Sequence, residues 1–376
     1  MLGRRQWIAI SLVIVALAAC ACGSSRSSGG SDTAASSTAT DKPPKVAVVL
    51  YGPANDGGWN TTWTAAVDKL KAAVPGAQVT VVPNVNPGAQ AQKTLSTLGQ
   101  QGYGLVVVTG GYTTADFKKA AATYPNTQYV NLFGTDVGPN LSRFDIGLED
   151  SRYLDGMLAA MATKSNIIGE VGGYPIPVEI RTLDALALGA QSINKDVKVK
   201  ILWVNSFYDP AKERQAAQAL VDSGADVLVM DSNTPAVASV AKANDVKFIG
   251  YGISRNADAP GQWLGAFSFN WAPYLIDWTK KVQAGTFKPG LFYWGLPNGV
   301  VGRTEYGSSV SQSEIDQIDQ TLQQIKSGEL VVFQGPITDN TGKVVVPEGE
   351  AIDTPAELAA CCTWYNENVE GNSSSS

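Results

Sequence analysis

Short apolar runs and longer segments of helical period alternate along most of the chain. Residues 45–51 (KVAVVLY) are almost continuously apolar, the pattern of a strand covered on both faces. From about residue 60 the spacing changes. Trp59, Trp63, Ala66, Val67 and Leu70 recur on one side of a helix, and Asp56 stands where an N-cap would serve it. The alternation predicts further strands at 78–83, 105–109, 128–133 and 140–146, with helices at 89–101 and 114–124. After Glu149 and Asp150 a second series begins. It has a helix at 153–163 with Leu154, Met157, Leu158 and Met161 on one face. Strands at 166–171, 199–204, 227–230 and 247–251 follow, with helices at 177–193, 210–223 and 235–243. Strands alternating with helices imply βαβ units and parallel sheets.

Beyond Gly252 the rhythm changes. A strand at 264–269, a helix at 271–283, a Gly-rich extended stretch at 292–301 and an amphipathic helix at 312–327 are expected. Extended runs at 330–336 and 343–346 flank the turn signal DNTG at 339–342. The expected class is α/β, as two doubly wound lobes around a central cleft. Residues 45–149 plus about 256–310 would form the first lobe, and 150–255 plus about 311–367 the second. So long a span exceeds what one core usually holds.

The two ends read differently. Arg4 and Arg5 precede an apolar run from Trp7 to Ala19, which ends in small residues at Cys20. A charged start, a short apolar stretch and a small-residue cut site predict a secretory signal over residues 1–20. The run is shorter than the ~20 residues of a membrane span. LAAC at 17–20 resembles the bacterial lipobox, which implies acylation of Cys20 and anchoring at the outer face of the cell membrane. Residues 21–44 are rich in Ser, Gly, Ala and Thr, too polar to form a core, and would tether the domain over roughly 25 Å. Residues 368–376 are expected to be a disordered tail.

Composition then removes function classes. The formal charge is −6 and no basic patch stands out, so nucleic acid is not an expected partner. The chain has no histidine, which excludes Ser-His-Asp triads and His-based metal sites. No metal or other cofactor is expected. SVAK at 239–242 matches a β-lactamase-type SxxK, but it lies inside a helix and its partner motifs are absent. Of four cysteines, Cys361 and Cys362 are adjacent. In an oxidising compartment they can form a vicinal disulfide or remain two small buried thiols.

Ligands of open α/β sheets sit at the C-terminal strand ends, and clefts between lobes favour small molecules. The segments at 53–60, 110–114, 172–177, 205–210, 231–235 and 251–255 are therefore the candidates. Tyr112 follows two glycines that permit close approach. Tyr251 ends a strand, and Trp271 opens a helix where it could line the cleft or pack between the lobes.

At this point the chain resembles the basic membrane protein family of lipoproteins. The matches are KVAVVL at 45–50, NDGGWN at 55–60, VGGYPIP at 171–177, WVNSFYDPAKE at 203–213, GAD at 224–226, FIGY at 248–251 and NW at 270–271. GVV at 299–301 and GPI at 335–337 extend them. This resemblance implies a type I periplasmic binding protein that hands a small molecule to an ABC importer permease, as a monomer without catalysis. It also implies that a purine is sandwiched between Trp59 and Phe207, with Tyr208 as a substitute for the latter. Asn60 would read the base edge and Asn233 would face the cleft. Nucleoside-binding members resemble one another in an acid at the position of Gly252 and a lysine near 267–269. This chain has neither, which favours a free base such as adenine over a nucleoside. A ligand sensor that presents its closed form to a membrane receptor is the alternative, and a nucleoside hydrolase a third reading. Trp59 can also simply staple its helix to the sheet, and Phe207 can anchor its loop.

Overall fold

The computed structural model describes residues 43–111 and 114–371. The signal segment, Cys20 and nearly all of the tether lie outside them. Pro44 is already fixed, because its carbonyl accepts the Gln78 N–H.

The first series folds as β1 (Lys45–Val49), α1 (Trp59–Ala73), β2 (Gln78–Val82), α2 (Ala89–Gln100), β3 (Leu105–Val108), α3 (Thr114–Thr123), β4 (Gln128–Leu132) and β5 (Leu141–Gly147). The second is α4 (Glu149–Ala162), β6 (Ile167–Gly172), α5 (Pro177–Ile193), β7 (Lys198–Trp203), α6 (Pro210–Asp222), β8 (Val227–Asp231), α7 (Ala236–Asn244), β9 (Lys247–Ile249) and β10 (Trp263–Gly265). The remainder is β11 (Phe267–Phe269), α8 (Ala272–Gln283), β12 (Leu291–Gly295), β13 (Val301–Arg303), α9 (Gln312–Ser327), β14 (Ile337–Thr338), β15 (Val344–Val346), α10 (Pro355–Ala360) and β16 (Val369–Glu370).

Two parallel sheets result. One runs β2-β1-β3-β4-β5-β12, the other β16-β7-β6-β8-β9-β10. Each is doubly wound, and the order reverses between β1 and β3 in one and between β6 and β8 in the other. A crevice opens at such a switch point. The strands alternate between two covered faces. Val46, Val48 and Leu50 pack with Trp63 and Trp278, whereas Ala47 and Val49 pack with Leu95, Leu98 and Phe117. That double coverage is why β1 reads as a continuous apolar run.

Several elements depart from the expected boundaries. The stretch at 264–269 is two strands. Gly265, at φ +155°, breaks it; β10 pairs with β9 in the second sheet, and β11 pairs antiparallel with β13. Residues 263–265 thus belong with the second lobe. The supposed tail contains β16, which adds to β7. Helix α4 starts at Glu149, because its acidic pair complements the positive helix N-terminus. Residues 330–336 form no strand. The hairpin joins β14 to β15 instead, its turn closed by the Asp339 carboxylate, which accepts the Thr341 and Lys343 N–H groups.

The chain passes from one sheet to the other near residues 147–149, 266–271 and 296–301. The second and third crossings run side by side as the β11–β13 ribbon. Tyr293 on β12 donates to the Glu149 carboxylate, and Arg181 pairs with the same carboxylate at 3.3 Å. Cys361 and Cys362 are joined as a disulfide beside the start of α5, where Cys362 N–H meets the Pro177 carbonyl.

Candidate functional site

The loop after β1 is organised by Asp56. Its carboxylate accepts N–H groups from Gly58 at 2.9 Å and from Asn60 and Thr61 at 3.0 Å, together with the Asn60 amide and the Thr61 hydroxyl. These are donors that the first turn of α1 would otherwise leave unmade. Asp56 thus caps the helix from three residues before its start and fixes the backbone from which the Trp59 side chain leaves. The Trp59 indole N–H donates to the Thr109 carbonyl at the end of β3. Its ring lies 6.1 Å from Phe133 and edge-on to Phe269 and Trp271, at 5.0 and 5.3 Å. Phe133 adopts the left-handed conformation, φ +57°, a costly choice for a bulky residue that concentrates at functional sites.

Phe207 sits on the facing loop, after β7. Its ring lies over Gly173, where any Cβ would come within 2.4 Å of it, and edge-on to Tyr174. The rings of Trp59 and Phe207 do not touch each other. Their main chains are joined through one side chain: Asn233 Oδ1 accepts the Trp59 N–H at 2.8 Å, and Asn233 Nδ2 donates to the Phe207 carbonyl at 2.9 Å. Arg255 adds a strut, donating through Nη2 to the carbonyls of Gly57 and Asn233. Two of the candidate segments, 231–235 and 251–255, therefore bond the loop at 53–60, and 205–210 joins them through Asn233.

The second lobe brings buried charge to the same edge. Asp231 ends β8, Glu179 lies in the first turn of α5, and Tyr251 follows β9. All three are buried. Burial pushes the Glu179 carboxyl well above its ordinary range, and the adjoining Asp231 carboxyl, which shares a hydrogen bond with it, adds to the rise. The Tyr251 hydroxyl is pushed up by burial, then by Asp231 and Glu179. Beneath them Arg152 pairs with Glu170 and lies 3.8 Å from Asp155, which also binds Arg303 at 2.9 Å. Burial raises Glu170 to about 7 even though Arg152 opposes the rise. In a low-dielectric interior, desolvation outweighs a single pairing partner.

A profile described as ABC transporter substrate-binding protein, PnrA-like, the Bmp family, matches residues 44–334. The chain belongs to this family. A purine-binding protein of Brucella abortus is 32% identical over 311 residues, which is 82% of this chain and 88% of that one. A putative ABC transporter glucose-binding protein of Haloferax volcanii is 33% identical over 215 residues, 57% of this chain and 55% of that one. A solved ABC transporter solute-binding protein from Conexibacter woesei superposes with a TM-score of 0.65 at 25% identity, over 76% of this chain and 97% of that one. The fold is thus that of type I periplasmic binding proteins. Bmp membership makes the chain an extracytoplasmic substrate-binding protein, whose partners are a small molecule and a transporter permease. Among the described residues no helix is long and apolar enough to cross a membrane.

Of the site residues expected in this Bmp protein, Trp59, Asn60, Phe207, Asn233 and Tyr251 lie just beyond the C-terminal ends of β1, β7, β8 and β9, and Asn233 links Trp59 to Phe207. Asn60 gives its amide N–H to Asp56, while its Oδ1 is buried without a protein partner. Tyr112 lies outside the described residues. Trp271 must be corrected. One face stacks on Trp63 at 4.5 Å and the other on Phe269 at 4.7 Å, and its N–H is taken by Thr62. With both faces covered it is almost wholly core, and only its rim borders open space. Phe133, Phe269, Glu179 and Arg255 were not foreseen. Arg255 lies in a flagged strand-end segment, and an arginine in such a loop was the available signal. A cavity of about 310 Å³ borders Thr61, Gly252, Phe269 and Trp271, beside the second crossing, and is lined by neither Trp59 nor Phe207.

Proposed function

We propose that this chain captures a purine-like flat heterocycle between Trp59 and Phe207 and delivers it, without chemistry, to an ABC importer. The observation that carries the reading is the bridging of these two residues across the crevice by Asn233. Base–aromatic stacking contributes about 1–3 kcal/mol per base, enough to make two such residues the dominant contacts. The Brucella relative, named for purine binding, supports the ligand class.

The free base is preferred to the nucleoside. Gly252 has a positive φ, and a Cβ there would come 2.7 Å from the Phe269 ring. An aromatic ring thus fills the space where a ribose-reading carboxylate would stand, and Phe267 and Phe269 replace the lysine. Asn60 Oδ1 is an unspent acceptor suited to an exocyclic amine. The anchor is an acylated Cys20, which mass spectrometry of the mature protein tests directly.

Titration calorimetry with adenine, adenosine and glucose decides the reading. Adenine should bind at least tenfold more tightly than adenosine, and glucose should not bind. Tighter adenosine binding would overturn the free-base preference, and binding of glucose alone would overturn the purine class.

A further inference from the structure

We propose that a cavity beside the β11–β13 ribbon is a second binding site, which takes a small organic carboxylate and is separate from the crevice at Trp59. The cavity has a volume of about 540 Å³, and its walls include Phe269, Arg303, Tyr306, Asp319, Leu322 and Lys326. It thus lies between the ribbon and helix α9. Trp59, Asn60, Phe207 and Asn233 take no part in its lining, so the site stands whatever the crevice binds. Its volume is that of small-molecule sites rather than of a bare ion.

The deciding residue is Arg303. Its side chain is only 9% exposed, and Nη1 donates to the buried Asp155 carboxylate at 2.9 Å. The Tyr306 ring centre lies 5.5 Å from its Cζ. These two contacts hold the guanidinium plane. The remaining edge, formed by Nε and Nη2, is a side of the fork that grips a carboxylate with two parallel hydrogen bonds. Both atoms are buried, and neither has a hydrogen-bond partner among the described residues. The Tyr306 hydroxyl is likewise buried without one, and it is close enough for Arg303 to oppose the rise in its pKa that burial causes. An arginine keeps its proton, so these donors persist. Leaving them unmet is costly, and an incoming carboxylate removes that cost. Lys326 adds a second positive charge at the exposed rim, and Leu322, one turn earlier on α9, adds apolar surface. Asp319, two turns before Lys326, is the opposing charge. It disfavours a dianion and leaves a monocarboxylate with an apolar body as the best match.

Benzoate is the probe, with benzamide as its uncharged counterpart and inorganic phosphate as the alternative oxyanion. NMR of the arginine Nε–H signals, with that of Arg303 assigned by its loss in Arg303→Lys, reads the site, and calorimetry reads the affinity. Benzoate should shift the Arg303 signal saturably, and benzamide should not shift it. Leu322→Trp fills the cavity while leaving the Arg303–Asp155 pair intact, and should abolish the shift. Lys326→Gln should weaken benzoate binding by roughly twofold to fivefold, as loss of an exposed ion pair does, whereas Asp319→Asn should tighten it by about twofold. Phe207→Ala should leave benzoate binding at this site as it is in wild type. Phosphate bound more tightly than benzoate would overturn the carboxylate assignment. No shift, an unsaturable shift, one that benzamide reproduces or one that survives Leu322→Trp would overturn the site, its donors then meeting water alone.

Discussion

The two sides of the crevice are built from different materials. On the first-lobe side, Phe269, Trp271 and Trp63 form a three-ring stack at 4.7 and 4.5 Å, with Trp59 edge-on to it. On the second-lobe side, Arg152, Asp155, Glu170, Glu179 and Asp231 are all buried. The aromatic side is held by contact area and shape, which respond to volume and hardly to pH. The charged side is held by a balance between desolvation and pairing, and it responds to protons.

The largest expected effects come from breaking each side once. Trp271→Ala should cost about 3–5 kcal/mol, because a large ring packed on both faces leaves a cavity. Arg152→Met should cost a similar ~3–5 kcal/mol, because Glu170 and Asp155 lose a buried partner. The two should differ in their pH response. Without Arg152 the Glu170 carboxyl rises further above about 7 and must stay protonated in the folded protein. Its unfolded counterpart ionises near 4.3. Urea unfolding should therefore show a larger Arg152→Met penalty at pH 8 than at pH 5, and a Trp271→Ala penalty equal at both. Equal penalties for Arg152→Met would mean that the pair contributes packing alone.

What could be read in the sequence follows the same division. Strands such as β1 are buried on both faces, so apolar periodicity reports them without any tertiary knowledge. The segments at 53–60 and 205–210 were flagged because they follow strand ends in a doubly wound fold, and the family resemblance singled out Trp59 and Phe207 within them. Trp271 was left open between cleft and packing for a related reason: a tryptophan just after a strand has the same local pattern whether its ring meets a ligand or two neighbouring rings. Only Trp63, two hundred residues away in sequence, decides the matter. The contacts of Arg255 were hidden too, since it bonds Gly57 from 198 residues further along the chain. Arg152, Glu170 and Glu179 were missed because a charge within a helix or strand reads as solvated unless its partners are known. β16 was missed because two residues are too few for a periodic signal.

A smaller effect sharpens the charged side. Asp184 on α5 is fully buried, with one oxygen accepting the Asn366 N–H at 2.7 Å and the other unpartnered. Burial raises its carboxyl well above the ordinary range. The folded form therefore binds more protons than the unfolded form between pH ~4 and that raised value, and stability falls as pH rises through this window. Asp184→Asn keeps an acceptor for Asn366 and removes the titration. It should stabilise the protein increasingly above pH ~4, by about 1.4 kcal/mol per pH unit, with little change below pH ~4. A stability gap independent of pH, measured by urea unfolding, would show that Asp184 does not hold a proton.

The smallest effect lies where the two sides meet. Asp56 satisfies three backbone donors at the start of α1, and so fixes the backbone that carries Trp59 and Asn60. Asp56→Asn keeps one acceptor oxygen and should cost about 1 kcal/mol, as loss of part of a helix cap does. Stability is the lesser consequence. The Asn60 amide donates to the oxygen that accepts its own N–H, so replacing that oxygen frees Asn60 to rotate. Ligand affinity should then fall by a larger factor than the stability change alone accounts for. If calorimetry shows an unchanged affinity alongside the expected loss of stability, the cap anchors the helix but does not orient Asn60, and the edge of the ligand must be read from the charged side alone.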